Sequence, residues 1–287
     1  MANIAYVNGR YRPLAEASIS IQDRGFQFGD GIYEVLYVYR GRIIDSALHL
    51  ARLTRSLAEI GLASPIAPTA LPLVIHEVIR RNRISTGLVY IQVTRGVARR
   101  DHPFPVPTPR PSLIVTARSK PEPPEDIALW TATAISMPDQ RWARCDIKST
   151  NLLPNVLARE AARREGAYEA ILYDAGGNVT EGAASTVWAI TQDGVLRTRA
   201  LDQHILPGCT RAALIEELHA RSISFVESPI PLSTLFVARE IFLTSATSFV
   251  KPIIRLDGKP IGNGTPGPVA TSLFALYLNH MRQNQTA

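Results

Sequence analysis

The chain has 287 residues, 46% of them hydrophobic and 20% charged, with a formal net charge of +6. This composition excludes an intrinsically disordered chain and supplies enough apolar side chains for two modest domains. The basic excess is dispersed among acidic residues with no long basic run, so a solvated surface that gathers small anions is expected and a nucleic-acid-binding face is not.

In chain order, Ile4–Val7 and Tyr33–Tyr39 have the composition of strands. Leu50, Leu53, Leu57 and Ile60 recur at helical spacing and predict a helix over 46–60, stopped by Gly61. Leu71, Val74, Ile75, Val78 and Ile79 predict a second helix, after which Leu88–Thr94 and Leu113–Ala117 return to strand composition. HPFPVPTPRP, from His102 to Pro111, is expected to be a loop, because each proline removes a backbone donor and opposes helix. The polar, proline-dense SKPEPPED, residues 119–126, marks the expected linker. It divides a small N-terminal α/β domain over 1–118 from a larger β-rich domain with flanking helices over 127–287. The second part predicts a helix near Pro154–Arg164, a strand at Ala170–Tyr173, a turn at Asp174–Asn178 and one continuous strand over Val179–Ile190. A helix opening at Thr210, a strand at Glu240–Thr244 and a final helix near Val269–Met281 complete it. The expected class is α/β in the broad, α+β sense.

Two cysteines, Cys145 and Cys209, are too few for a disulfide framework and lack metal-ligand spacing to any histidine, so no metal is expected and a reducing cytoplasm fits best. No basic segment followed by an apolar core opens the chain, and no apolar run approaches ~18 residues, so neither secretion nor membrane insertion is expected.

Four places can carry chemistry. Lys148, in DIKSTNLLPNVLARE, lies where an extended segment gives way to a polar turn before a helix, a position from which an amine can enter a cleft and form an imine with an aldehyde. Glu181, in GGNVTEGAASTVW, has small same-side neighbours at Ala183 and Ser185 that leave room for a flat ring, whose pyridine nitrogen a carboxylate would keep protonated. In LPGCTRAALIEEL, Thr210 is a good N-cap, and the amides of a helix start suit a phosphate. In HLARL, His49 and Arg52 share a helix face, and the arginine fork suits a phosphate dianion.

Together with DRGFQFGDGIYEV at Asp23–Val35 and the TRG-to-RDH segment, these motifs resemble, in order and from Asn3 to at least Ile254, the fold-type-IV pyridoxal-phosphate aminotransferases, and within them the D-amino-acid transaminases. The resemblance implies pyridoxal 5'-phosphate held as a Schiff base on Lys148, with Glu181 on its ring nitrogen. Its phosphate would lie on Arg52, Cys209 and Thr210. A second phosphate loop is similar to LTSATSFVKPI, where Ala246 stands in place of the threonine common in the family and its backbone N–H and Thr247 remain as donors; Phe249 replaces a common glutamate. Tyr33, Arg100 and His102 resemble a trap for the substrate α-carboxylate, suited to it because arginine binds bidentately and the other two donate hydrogen bonds.

The implied reaction is ping-pong transamination between a D-amino acid and a 2-oxo acid such as 2-oxoglutarate, in a homodimer. Branched-chain L-amino-acid transaminase, amine transaminase and aminodeoxychorismate lyase are the alternatives that share the cofactor residues. The Arg100 and His102 pair argues against the first.

Overall fold

The computed structural model describes residues 3–283, which fall into two compact units. The first runs to Glu122 and includes Ile147–Asn151; the second comprises Pro123–Asp146 and the residues from Leu152 onward.

The first unit contains β1 (Ile4–Val7), β2 (Arg10–Pro13), α1 (Arg24–Phe28), β3 (Gly31–Tyr39), β4 (Arg42–Ile43), α2 (Ser46–Glu59), α3 (Ala70–Asn82), β5 (Gly87–Thr94) and β6 (Ser112–Ser119). Its six-stranded sheet has the order β2-β1-β6-β5-β3-β4, and the β3–β5 pairing keeps one register from Gly31↔Thr94 to Val38↔Gly87. Strand alternation turns Ile32, Glu34 and Leu36 to the buried side. Helical spacing does the same for His49, Arg52, Leu53, Ser56 and Leu57 of α2. Leu53 and Leu57 join Ile32, Leu36, Ile75, Val89, Ile91 and Val115 in one apolar core. Gly61 stops α2 as expected: it takes φ +58°, while Leu62 N–H bonds the Leu57 carbonyl at 2.9 Å.

Ile147 belongs to the same core, which explains why a segment beyond the expected linker groups with the first unit. Thr150 extends the attachment: its N–H reaches the Gly31 carbonyl at 3.0 Å and its hydroxyl the Gly29 carbonyl at 2.9 Å.

The second unit contains β7 (Ala132–Pro138), α4 (Leu153–Arg164), β8 (Glu169–Tyr173), β9 (Val179–Gly182), β10 (Thr186–Ile190), β11 (Leu196–Thr198), α5 (Cys209–Ala220), β12 (Val226–Glu227), α6 (Leu232–Phe236), β13 (Glu240–Ser245), β14 (Phe249–Leu256), β15 (Lys259–Pro260) and α7 (Pro268–Gln283). The sheet order is β12-β11-β10-β13-β14-β7-β8-β9, with β15 on β14. Val187, Ala189, Ile241, Leu243 and Ile253 pack with Leu235 of α6. Trp188 and Phe242 stack with ring centroids 5.7 Å apart.

Val179–Ile190 is not a continuous strand: β9 ends at Gly182 and β10 begins at Thr186, with Gly182 N–H bonded to the Ser185 carbonyl at 2.7 Å across the reversal. A Cβ on Gly182 would lie 2.2 Å from Ser185 Oγ, so the tight approach needs glycine. Ala183 and Ser185 therefore do not continue the face of Glu181 as period-two counting expects.

Among the described residues no helix is long and apolar enough to cross a membrane, and no cluster of three His, Cys, Asp or Glu side chains could hold a metal. Cys145 and Cys209 are free thiols, both buried.

Candidate active site

In the first unit, Lys148 is fixed through its backbone. Its carbonyl accepts from Tyr33 N–H at 3.0 Å, its N–H donates to Ser56 Oγ at 3.3 Å, and the next residue bridges Ile32. The half-buried ammonium lies 4.3 Å from the centre of the Tyr33 ring, which itself stacks on Tyr90 at 5.8 Å. The structure thus brings Lys148 and Tyr33 together.

On the opposite face of β3 lies a group that the motifs did not single out. Glu34 is fully buried and accepts from Arg52 Nε at 2.8 Å and Nη2 at 2.9 Å, while His49 Nδ1 lies 2.8 Å from its Oε2. Burial pushes the Glu34 pKa up, but hydrogen bonds from Arg52 and His49 and the charges of Arg52 and Lys148 outweigh it and bring it down to about 2. Arg52 is therefore a buried, bidentately oriented guanidinium.

Arg100 and His102 are exposed on the loop after β5. Both approach Phe28, whose ring lies 5.1 Å from the Arg100 guanidinium and 5.5 Å from the His102 ring. Among the described residues no hydrogen bond or ring contact joins either to Tyr33. The loop backbone is held by Arg24, which is 3% exposed and donates to the carbonyls of Asp101 at 2.6 Å, His102 at 3.1 Å and Pro103 at 3.3 Å. Asp30 fixes Arg24 in turn, through Nε at 2.8 Å.

In the second unit, Glu181 is 5% exposed. Its Oε1 accepts from Leu206 N–H at 3.1 Å and from Arg141 Nη1 in a short ion pair. Arg141 also forks onto Asp139, with Nε at 3.0 Å and Nη2 at 2.7 Å. Sequence reasoning missed Arg141 and Asp139, because PDQRWARCD carries no periodic signal and only the tertiary fold brings it to β9. Glu34 was more legible: a glutamate alternating with Ile32 and Leu36 on one strand announces a buried partner.

Thr210 is not the N-cap of α5; Gly208 is, with φ −66° and ψ 130°, because the residue before the first helical turn must be extended and here it is the glycine of the turn. Thr210 instead projects from the first turn. It is 2% exposed, and its Oγ1 is buried with no hydrogen-bond partner, an uncommon state that a ligand's anionic oxygen at this helix start would relieve. The start of α7, by contrast, is filled by Glu240, whose carboxylate accepts from Val269 N–H at 3.1 Å and Ala270 N–H at 2.8 Å.

Ala246 and Thr247 form the β13–β14 turn, organised by Ser245 Oγ, which lies 3.3 Å from Thr247 Oγ1 and 2.7 Å from Ser248 Oγ. Phe249 is 1% exposed and stacks between Trp130 at 6.3 Å and Tyr277 at 5.9 Å. A glutamate there would be buried among rings, which accounts for the phenylalanine. Each within its own unit, the orphaned Thr210 hydroxyl, the ordered polar turn, the clamped carboxylate and the amine beside an aromatic ring suit the parts of a phosphorylated, ring-bearing cofactor.

The model of the family described as amino-transferase class IV matches residues 31–256. The chain belongs to that family. As a class IV aminotransferase it is 39% identical over 268 residues to D-alanine aminotransferase of Staphylococcus aureus, covering 93% of this chain and 94% of that protein. It is 38% identical over 276 residues to D-alanine aminotransferase of Listeria monocytogenes, covering 96% and 95%. Among solved structures it resembles the branched-chain amino acid aminotransferase of T.th. with pyridoxamine 5'-phosphate, with TM-score 0.87 and 27% identity over 98% of this chain and 94% of that one. The two-unit α/β architecture is that of the class IV aminotransferases.

Proposed function

We propose that the chain is a pyridoxal-phosphate-dependent D-amino-acid transaminase that passes the amino group of D-alanine or a similar D-amino acid to 2-oxoglutarate or another 2-oxo acid. What carries the reading is 39% identity to a D-alanine aminotransferase along nearly the whole of both chains.

When bound, pyridoxal phosphate supplies an electrophilic carbon and a ring that accepts electrons. Lys148 Nζ is the covalent anchor, and once displaced by substrate it moves the proton from Cα to the cofactor's C4′ carbon. Glu181 holds a proton at the ring nitrogen. Arg52, oriented by Glu34, and the group Cys209, Thr210, Ala246 and Thr247 are the phosphate ligands; at Ala246 the backbone N–H serves where a threonine hydroxyl is common. Tyr33, Arg100 and His102 orient the α-carboxylate; Arg100 and His102 are exposed on a loop that packs on Phe28, and in this reading that loop serves the site of a second copy. The proposed assembly is therefore a homodimer, working in the cytoplasm.

The deciding assay compares D-alanine with L-leucine, each with 2-oxoglutarate and the loaded enzyme. D-alanine is expected to react at least about a hundredfold faster in kcat/KM, as expected where a carboxylate trap fixes substrate orientation. Turnover of L-leucine alone selects the branched-chain alternative.

A further inference from the structure

Asp139, Arg141 and Glu181 form a chain of three charges, Glu181 buried and the other two half-buried, their side chains 11%, 7% and 6% exposed in that order. Each end of Arg141 meets a carboxylate, so the cluster carries one net negative charge. Nearby, Arg144 and Asp146 pair at 2.9 Å and cancel, and burial pushes the Cys145 thiol up to about 12, which keeps it neutral; Arg199 forms a separate, more exposed network with Asp174 at 3.2 Å and Asp202 at 2.8 Å. Asp139 is held by more than Arg141's side chain. It accepts from the Arg141 backbone N–H at 3.0 Å and from the Thr180 hydroxyl at 2.7 Å, and Thr180 adjoins Glu181 on β9.

A lone arginine beside Glu181 would orient the carboxylate but also cancel its charge, and a protonated pyridine nitrogen would then gain little from it. The geometry points to Asp139 as the residue that resolves this conflict. By neutralising Arg141, Asp139 lets the arginine position Glu181 while leaving one negative charge for a ring-nitrogen cation. Asp139 is thus a positioning and charge-balancing residue two ion pairs removed from Glu181. The inference rests on the reading that Glu181 pairs with the ring nitrogen.

The test measures binding to the apoprotein of pyridoxal phosphate and of its analogue with C–H in place of the ring nitrogen. The ratio of the two Kd values reports the preference for the nitrogen. Glu181→Gln is expected to abolish it; if the preference survives, the Glu181 reading itself fails and the inference goes with it. Asp139→Asn, nearly isosteric, is expected to lower the preference about tenfold, one pKa unit at the nitrogen. Thr180→Val removes a hydrogen bond to Asp139 but no charge, and is expected to leave it within about twofold. The double variant Asp139→Asn, Arg141→Gln returns the cluster to one net negative charge and is expected to recover most of the preference. It decides the question even if Asp139→Asn alone binds neither compound. An unchanged ratio in Asp139→Asn, an equal fall in Thr180→Val, or a double variant as indifferent as Glu181→Gln overturns the role of Asp139.

Discussion

At the scale of single residues, Lys148 and Glu34 make the sharpest claims. Lys148→Ala is expected to remove the visible absorbance of lysine-bound cofactor and reduce turnover by several orders of magnitude, on the order of 10³ or more for loss of an essential nucleophile and base. Its fold should be unaffected by circular dichroism; a coloured, active variant would move the anchor elsewhere. Glu34 is a stability determinant because it is fully buried and faces Arg52 and His49. Glu34→Gln leaves a buried guanidinium without its counter-charge, at a cost of about 3–5 kcal/mol, measurable by urea denaturation. The pH dependence has a definite sign. The folded pKa is depressed from 4.5 to about 2, so this stabilisation is present above the unfolded value and is lost as pH falls through that interval. The wild type should therefore show a steep fall in stability below about pH 4.5 that is shallower in Glu34→Gln.

At the scale of elements, short structures carry the site. Helix α1 has only five residues, yet Arg24 on it holds three consecutive carbonyls of the loop that carries Arg100 and His102. Arg24→Met is expected to raise KM for the amino acid about tenfold or more, because displacing an orienting group by an ångström is costly, while cofactor affinity stays unchanged. Equal KM values would detach this loop from substrate binding. The residue that ends α1, Gly29, has φ +67°, and a Cβ there would fall 2.2 Å from Asn151 Oδ1. Gly29→Ala combines a left-handed backbone with a collision against the Lys148 segment, and is expected to destabilise by about 1–3 kcal/mol, read as a lowered Tm.

At the scale of the whole molecule, several large apolar side chains face outward: Ile21 is 78% exposed, Phe26 71%, Phe104 59% and Val106 96%. Such residues on both the α1 region and the Arg100 loop suit burial against a second chain. Light scattering is expected to give the mass of two chains, and Phe26→Asp to shift the protein toward monomer with a loss of turnover at low concentration. A fully active monomer would end the shared-site reading.

Local rules accounted for much of this protein from sequence alone. Apolar periodicity located α2 and α3, proline density marked the loop after β5, and the order of motifs identified Lys148, Glu181, Arg52 and Thr210 as candidates, because spacing and composition are properties of neighbouring residues. Tertiary structure alone decided the rest. Gly182 broke an expected strand because of a close approach to Ser185, and Gly208 took the cap expected at Thr210. Ile147 drew the lysine segment into the first unit's core, since burial of an apolar side chain outweighs its place in the chain. Asp139 and Arg141 reached Glu181 only through the pairing of β7, β8 and β9, and no local pattern encodes which charges meet across a sheet.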